Sequence, residues 1–315
     1  MYYPYLRGKQ FELILLRDNA EIIANTGIHP IIEPVKKDFK ALERAIKIIE
    51  EKSISYTLII NPITGENPVA TKSIMEDFIG SSEIDFQNIS FGYILNAESD
   101  IDEFVKLLEN NNERKFSIIH YGYPNSKIIA DKINDFDNIQ RHLFIDGFAG
   151  KLYQRHLKKD GIERILIRDG FKTQTKNSLY PPSEHFSDLH ITYPDEGMNG
   201  FGDLLTVGID YSETGGPAYA VAIHFTYLNE EDDMFIFHFI SDRTDSPTDP
   251  GGKFLEALSK LVDRAENQHS LIFKSEAYLE FKNLFDKQHY PGLGYVKKLS
   301  MQHHIELIVN FLSQG

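Results

Sequence analysis

A partly irregular, TIM-like (β/α) barrel of about eight strands is the fold class this sequence predicts, on three observations. Six short, continuously apolar runs recur through the first half of the chain, spaced by roughly 20 to 35 residues, which suits right-handed crossovers between parallel strands. Amphipathic helical patterns lie between most of them. After Arg168 the rhythm tightens into closer apolar runs and then gives way to helices alone. A length of 315 residues with 41% hydrophobic and 25% charged side chains supplies a large core and excludes a disordered chain. The expectation is one domain over 1–315, with an antiparallel strand section inside 181–250 and the helices of 251–315 packing on the barrel. A doubly wound open sheet is the competing arrangement.

The opening, MYYPYLRGKQFE, turns polar too early for a signal peptide, and no apolar run is long enough to span a bilayer. A cytoplasmic protein is therefore expected, with no membrane partner. The pattern over 7–18 leaves open whether this segment is a strand or a helix that plugs the barrel bottom. Strands are expected at 31–35 (IIEPV), 56–61 (YTLIIN), 89–96 (ISFGYILN), 116–121 (FSIIHY), 141–146 (RHLFID) and 164–168 (RILIR). Their apolar residues are continuous rather than alternating, as in parallel strands buried on both faces. Between them, Leu42, Ala45, Ile46 and Ile49 share one helical face, and Ile101, Phe104, Val105 and Leu108 share another.

The runs 204–211, 218–227 and 234–241 stand too close together for crossover helices, so they are read as antiparallel. Gly200-Phe201-Gly202 and Gly215-Gly216-Pro217 lack a strand–glycine–helix context and read as turns, not as a dinucleotide fingerprint or a P-loop. Asp249-Pro250-Gly251-Gly252 leads into a helix over 253–265, with further helices at 276–287 and 299–312.

Charge narrows the function classes. The net charge of −14 argues against nonspecific nucleic-acid binding by the whole surface. The 70 residues of 181–250 hold 14 acidic side chains and one arginine, Arg243, a net of −13 that accounts for nearly all of the excess. Solvated loops, a divalent-cation site or a docking face for a basic partner would each produce such a block; Asp203, Asp210 and Glu213 are the candidate partner-binding residues. The absence of cysteine removes disulfides, thiolate catalysis and cysteine-ligated metals. No metal site is expected from histidine spacing. His185 and His190 are five residues apart, and His303 and His304 are adjacent, so neither pair shares one face.

In parallel α/β folds, chemistry gathers at the carboxyl ends of the strands. Those ends carry Glu33, Asn61, Asn96, His120, Asp146, Arg168 and Asp169, most with a proline or glycine close by. Glu33 and Asp146 are candidate acid and base, and His120 a candidate proton shuttle. Arg168 offers a bidentate fork for phosphate or carboxylate. Asn61, Asn96 and Asp169 are candidate ligand contacts, joined by Arg7 and Lys9 from the charged cluster that opens the chain. Strand-end capping and turn chemistry is the competing explanation for the whole set. No cofactor is indicated.

Several stretches taken together carry a family resemblance: YYPYLRGKQFELILLRD at 2–18, IIEPV at 31–35, IINP at 59–62, FIDGF at 144–148, YPPSEHFSDLHITY at 180–193, GFGDLLTVGIDYSETGGPAYAVAIHFTY at 200–227 and SMQHHIELIVNFL at 300–312. They resemble the phage beta-protein-like family of bacterial and phage proteins. That resemblance implies a barrel-like α/β fold and, for its nearest bacterial branch, a gene beside a predicted restriction-type nuclease. A regulatory component of a two-gene phage-defence or toxin–antitoxin-like module, binding a partner nuclease, is the function it implies. The resemblance carries no catalytic assignment, and an aromatic residue is expected more often than histidine at 185. The alternative function is an enzyme or ligand sensor acting on a phosphorylated or nucleotide-like small molecule at the strand rim. A structural protein of phage particles is permitted by the family context and supported by no residue.

Overall fold

The computed structural model describes residues 1–65, 68–212 and 216–314. By its contacts the chain divides into two compact units: residues 1–168 with 192–203, and 169–191 with 204–315.

The first unit is a closed barrel of eight parallel strands. In spatial order these are β1 (Tyr2–Leu6), β2 (Ile31–Ile32), β3 (Tyr56–Ile59), β4 (Ile89–Leu95), β5 (Phe116–His120), β6 (Ile139–Ile145), β7 (Glu163–Ile167) and β9 (Gly200–Asp203), and β9 returns to β1. The six strands expected from the apolar runs are all present. The remaining two differ from expectation. The first, β1, precedes the charged cluster, and residues 10–18 form the helix α1 (Gln10–Asp18). The closing strand is β9, not the run 204–211, so the glycines read as a turn sit inside a strand. They are needed there, because a Cβ on Gly202 would collide with the Tyr3 carbonyl and one on Gly200 would lie 2.8 Å from that of Met1.

Helices follow most strands: α2 (Ala20–Thr26), α3 (Lys40–Glu51), α4 (Ile101–Asn110), α5 (Ser126–Ile133) and α6 (Lys151–His156). The apolar stripe of α3 buries Leu42, Ala45, Ile46 and Ile49, as its spacing predicts. In α4, Asp100 caps the first turn by accepting from the amides of Asp102 and Glu103.

Side chains alternate between the lumen and the helix layer along each strand. Contacts across non-neighbouring strands identify the lumen set: Tyr3 Oη donates to Glu163 at 3.3 Å, and Thr57 Oγ1 to Ser117 Oγ at 3.3 Å. Ser117 also bonds Ser90, and His29 bonds Thr57, each at 2.8 Å. The amino-terminal half of the lumen is therefore a satisfied polar layer rather than an open pore, with Ile59, Ile119, Ile165 and Ile167 filling the next levels.

The second unit is built on a three-stranded antiparallel sheet in the order β10 (Ala222–Leu228), β11 (Met234–Ile240) and β8 (Ser183–Ser187). Two of the three closely spaced runs thus pair as expected, but their third partner is β8. Three helices, α8 (Pro250–Ala265), α9 (Glu276–Asp286) and α10 (Leu293–Leu312), pack with this sheet, around Ile223, Phe225, Phe254, Leu258, Phe281 and Leu299. The helix α7 (Leu189–Thr192) is a single turn.

Candidate functional site

Because all eight strands run parallel, the barrel has one carboxyl-terminal rim, and Arg7, Glu33, Asn61, Asn96, His120, Asp146 and Arg168 all follow or end strands there. The strand alternation sorts them into two groups facing opposite sides of the wall.

Glu33 and Arg7 belong to the lumen side, and both are buried. Tyr5 Oη donates to Glu33 Oε2 at 2.9 Å, while the amides of Ile63 and Thr64 each donate to Oε1 at 3.0 Å. This carboxylate therefore fastens the loop after β3 to the β1 wall. Burial, reinforced by Glu33, pushes the Tyr5 phenol well above its usual range, so the phenol remains a donor. The Arg7 amide donates to buried Glu12 at 2.5 Å, and burial raises the Glu12 carboxyl against the pull of Arg7 and Lys9. Lys9 stands at the N-cap of α1 with no side-chain cap bond.

Asn61 and Asn96 are used by the backbone. Asn61 donates to the Ile94 carbonyl at 2.9 Å and accepts from its amide at 2.7 Å, clipping β3 to β4. Asn96 accepts from the Glu98 amide at 3.0 Å in a local turn.

His120 and the Asp146–Arg168 pair lie on the other side. His120 is fully buried among the helix-facing side chains. Its Nδ1 meets Tyr153 Oη of α6 and its Nε2 meets His142 Nδ1, both at 2.9 Å. Burial, with His142 adding to it, holds this imidazole well below its usual pKa. A proton shuttle at the mouth is thus replaced by a packed histidine behind the wall. Arg168 Nε bonds Asp146 Oδ2 at 2.6 Å, with the two side chains 27% and 42% exposed, and Glu196 lies 3.6 Å from the guanidinium. Glu33 and Asp146 do not form one acid–base pair, since one faces the lumen and the other the outer rim.

Asp169 begins the second unit and accepts from the amides of Phe171 at 2.9 Å and Ile209 at 2.7 Å. Asp203 is buried and accepts from Tyr2 Oη at 2.8 Å, which removes it from any exposed docking face. Asp210 is exposed. Glu213 lies outside the described residues.

The acidic block is divided between the units: Asp195, Glu196 and Asp203 belong to the barrel unit and the other described acids to the second. Several are neutralised by cations from outside the block, as in Lys260–Asp242 at 2.6 Å, Lys172–Glu184 at 3.5 Å and the Lys151–Glu196 pair. The exposed remainder concentrates at the turn joining β10 to β11, where Glu230, Glu231 and Asp232 face solvent. Asn229 Oδ1 accepts from the amides of Glu231 and Asp233 at 2.9 Å each, and the Asp232 carbonyl meets His190 Nε2 at 2.8 Å. His185 Nε2 lies 3.0 Å from Asp233 Oδ1. These bonds give His185 and His190 structural roles at the base of the turn.

Two arrangements escaped the sequence reading. A cleft of about 730 Å³ lies at the entry to β4, at the amino-terminal end of the barrel, with Lys40, Arg44 and Lys47 of α3 and Asp85 and Asn88 in its walls. In the second unit, Glu184, His238 and His224 form a hydrogen-bonded row under Tyr180. The period-two spacing of β10 and β11 puts His224 opposite His238, but only their pairing register reveals it. Among the described residues, no three His, Asp or Glu side chains are placed to hold a metal ion, and no helix is long and apolar enough to cross a membrane. No protein-family model matches the chain, and no curated protein matches it.

Proposed function

We propose that the protein is a binding component, which docks a basic protein partner through the acidic turn between β10 and β11 and uses the barrel as scaffold. One observation carries this reading: Glu230, Glu231 and Asp232 are exposed together on a turn whose backbone is fixed by Asn229 and His190. Adjacent carboxylates repel one another, so a turn held rigidly around them works against local stability. Meeting a basic surface relieves that repulsion and speeds encounter. A nuclease that grips DNA phosphates carries such a surface, which agrees with the neighbour that the family resemblance implies. The rim residues support the same reading, because Glu33, Asn61 and Asn96 are spent on the fold.

The test is binding of the purified chain to the product of the adjacent gene, compared with an E230K/E231K/D232N variant. Asparagine is chosen at 232 because that residue has φ +61°, a conformation asparagine tolerates. Loss of binding with an unchanged thermal melt is expected; undiminished binding by a folded variant contradicts the reading.

A second reading, a sensor or enzyme for a phosphorylated or nucleotide-like molecule at the barrel mouth, is favoured by Arg7 alone. Its guanidinium is buried on the lumen side, near the Tyr5 phenol, and its fork suits a phosphate. Under that reading, a nucleotide raises the melting temperature of the wild type and not of Arg7→Lys. Equal shifts in both proteins, or none in either, set it aside.

A further inference from the structure

The face of the three-stranded sheet that carries Glu184, His224 and His238 holds a row of hydrogen bonds that neither the rim nor the acidic turn uses. Lys172 Nζ lies 3.5 Å from Glu184 Oε2, and Glu184 Oε1 lies 3.1 Å from His238 Nε2. His238 Nδ1 in turn lies 2.8 Å from His224 Nδ1. Tyr180 stacks on His238 with ring centroids 4.6 Å apart and meets His224 edge-on at 4.7 Å, and Phe171 closes on His224 at 4.9 Å.

The protons in this row follow from its ends. A carboxylate held by a lysine accepts, so His238 Nε2 carries the hydrogen and His238 Nδ1 presents a lone pair. His224 Nδ1 must then donate, which leaves the lone pair of His224 on Nε2. Among the described residues, that nitrogen has no hydrogen-bond partner. Burial, with His238 and Lys297 adding to it, holds His224 well below its usual pKa, so the imidazole is neutral at physiological pH. Lys297 is exposed.

We propose that Glu184, His238 and His224 form a carboxylate–imidazole–imidazole relay in which His224 Nε2 is the working base of an acid–base site. The ligand class that fits is a small molecule with an O–H or N–H to be deprotonated beside an anionic group that Lys297 attracts. When His224 Nε2 takes the proton, its Nδ1 proton shifts to His238 Nδ1, and the His238 Nε2 proton moves toward Glu184. The positive charge is thereby spread toward the carboxylate, and no bond between heavy atoms forms or breaks. Glu184 and His238 act through His224 and are positioning residues. The aromatic walls of Tyr180 and Phe171 favour the neutral imidazole at rest, and Lys172 lies against the Glu184 oxygen that His238 does not use.

The experiment is histidine-selective ¹⁵N labelling of the full chain. The two ring nitrogens of His224 are assigned by its loss in His224→Gln, and the acylation rate of that ring by diethyl pyrocarbonate is then measured with and without inorganic phosphate. The relay predicts His224 as the Nδ1–H form, acylation at Nε2, slowing by phosphate, and a several-fold slower reaction in Glu184→Gln. Glu184→Gln is first shown to keep the wild-type melt; if it does not, His238→Asn takes its place. An Nε2–H form of His224, or an acylation rate indifferent to both Glu184 and His238, overturns the relay. Acylation unaffected by phosphate overturns the anionic ligand class.

Discussion

At the scale of single residues, the rim shows why a polar side chain at a strand end is ambiguous. Glu33 accepts from one buried phenol and two part-buried loop amides, and its loss leaves those donors unpaired. An unsatisfied buried donor costs roughly 1–3 kcal/mol, and Tyr5 is the buried one of the three, so Glu33→Ala is expected to lower stability by on the order of 2 kcal/mol, and Glu33→Gln by less. Urea unfolding of both variants checks this; a loss near zero for Glu33→Ala would mean the carboxylate is not a fastener. Arg168 behaves oppositely. Its pair with Asp146 is partly exposed, and exposed pairs contribute about 0–1 kcal/mol. Arg168→Ala is therefore expected to cost about 1 kcal/mol, and a drop of several kcal/mol in the same assay would place the pair in a dry environment. The sequence locates both residues correctly at strand ends. It does not reveal which backbone amides approach Glu33, because those belong to a loop that only the closed barrel folds back.

At the scale of elements, legibility followed hydrophobic continuity. The central strands and the helices α3 and α4 are visible as unbroken apolar runs or one-sided stripes, and they form where expected. The strands that close the barrel are the two that lack such a run. In β1, Pro4 interrupts the pattern, yet it is tolerated where pairing passes from β9, over Tyr2 to Pro4, to β2, over Tyr5 and Leu6. In β9, two of four residues are glycines, selected by close approach to β1 rather than by strand propensity. The buried histidines of these elements give a pH prediction. Burial lowers His142, in the barrel, and His303, beneath the second sheet, to about 3 each, against about 6.5 in an unfolded chain. Below the unfolded value the unfolded chain binds protons that the folded chain refuses. Stability thus falls as the pH drops from about 6.5 toward about 3, by about 1.4 kcal/mol per pH unit for each such group, and is fully present above that window. Replacing His142 by glutamine is expected to flatten the acid limb of urea-unfolding stability by one proton's worth. An unchanged slope would show that His142 does not supply that proton.

At the scale of the whole molecule, the defining feature is a neutral majority carrying one acidic segment. Outside 181–250 the chain has 33 acidic and 32 basic side chains. The sequence makes the charge excess legible but not its distribution, because Asp203 is drawn into the barrel wall by Tyr2 and Asp242 is neutralised by Lys260. What remains exposed at the β10–β11 turn is a small, fixed patch, and exposed charges are screened beyond a Debye length of roughly 8 Å at physiological ionic strength. The most direct test of the docking account is the affinity of the chain for the product of the adjacent gene, measured by calorimetry across a salt series, beside the E230K/E231K/D232N variant. The account predicts wild-type affinity that falls steeply as salt rises, and variant binding that is weak and nearly indifferent to salt. Wild-type affinity independent of salt, or a folded variant that binds as tightly as the wild type, would contradict it.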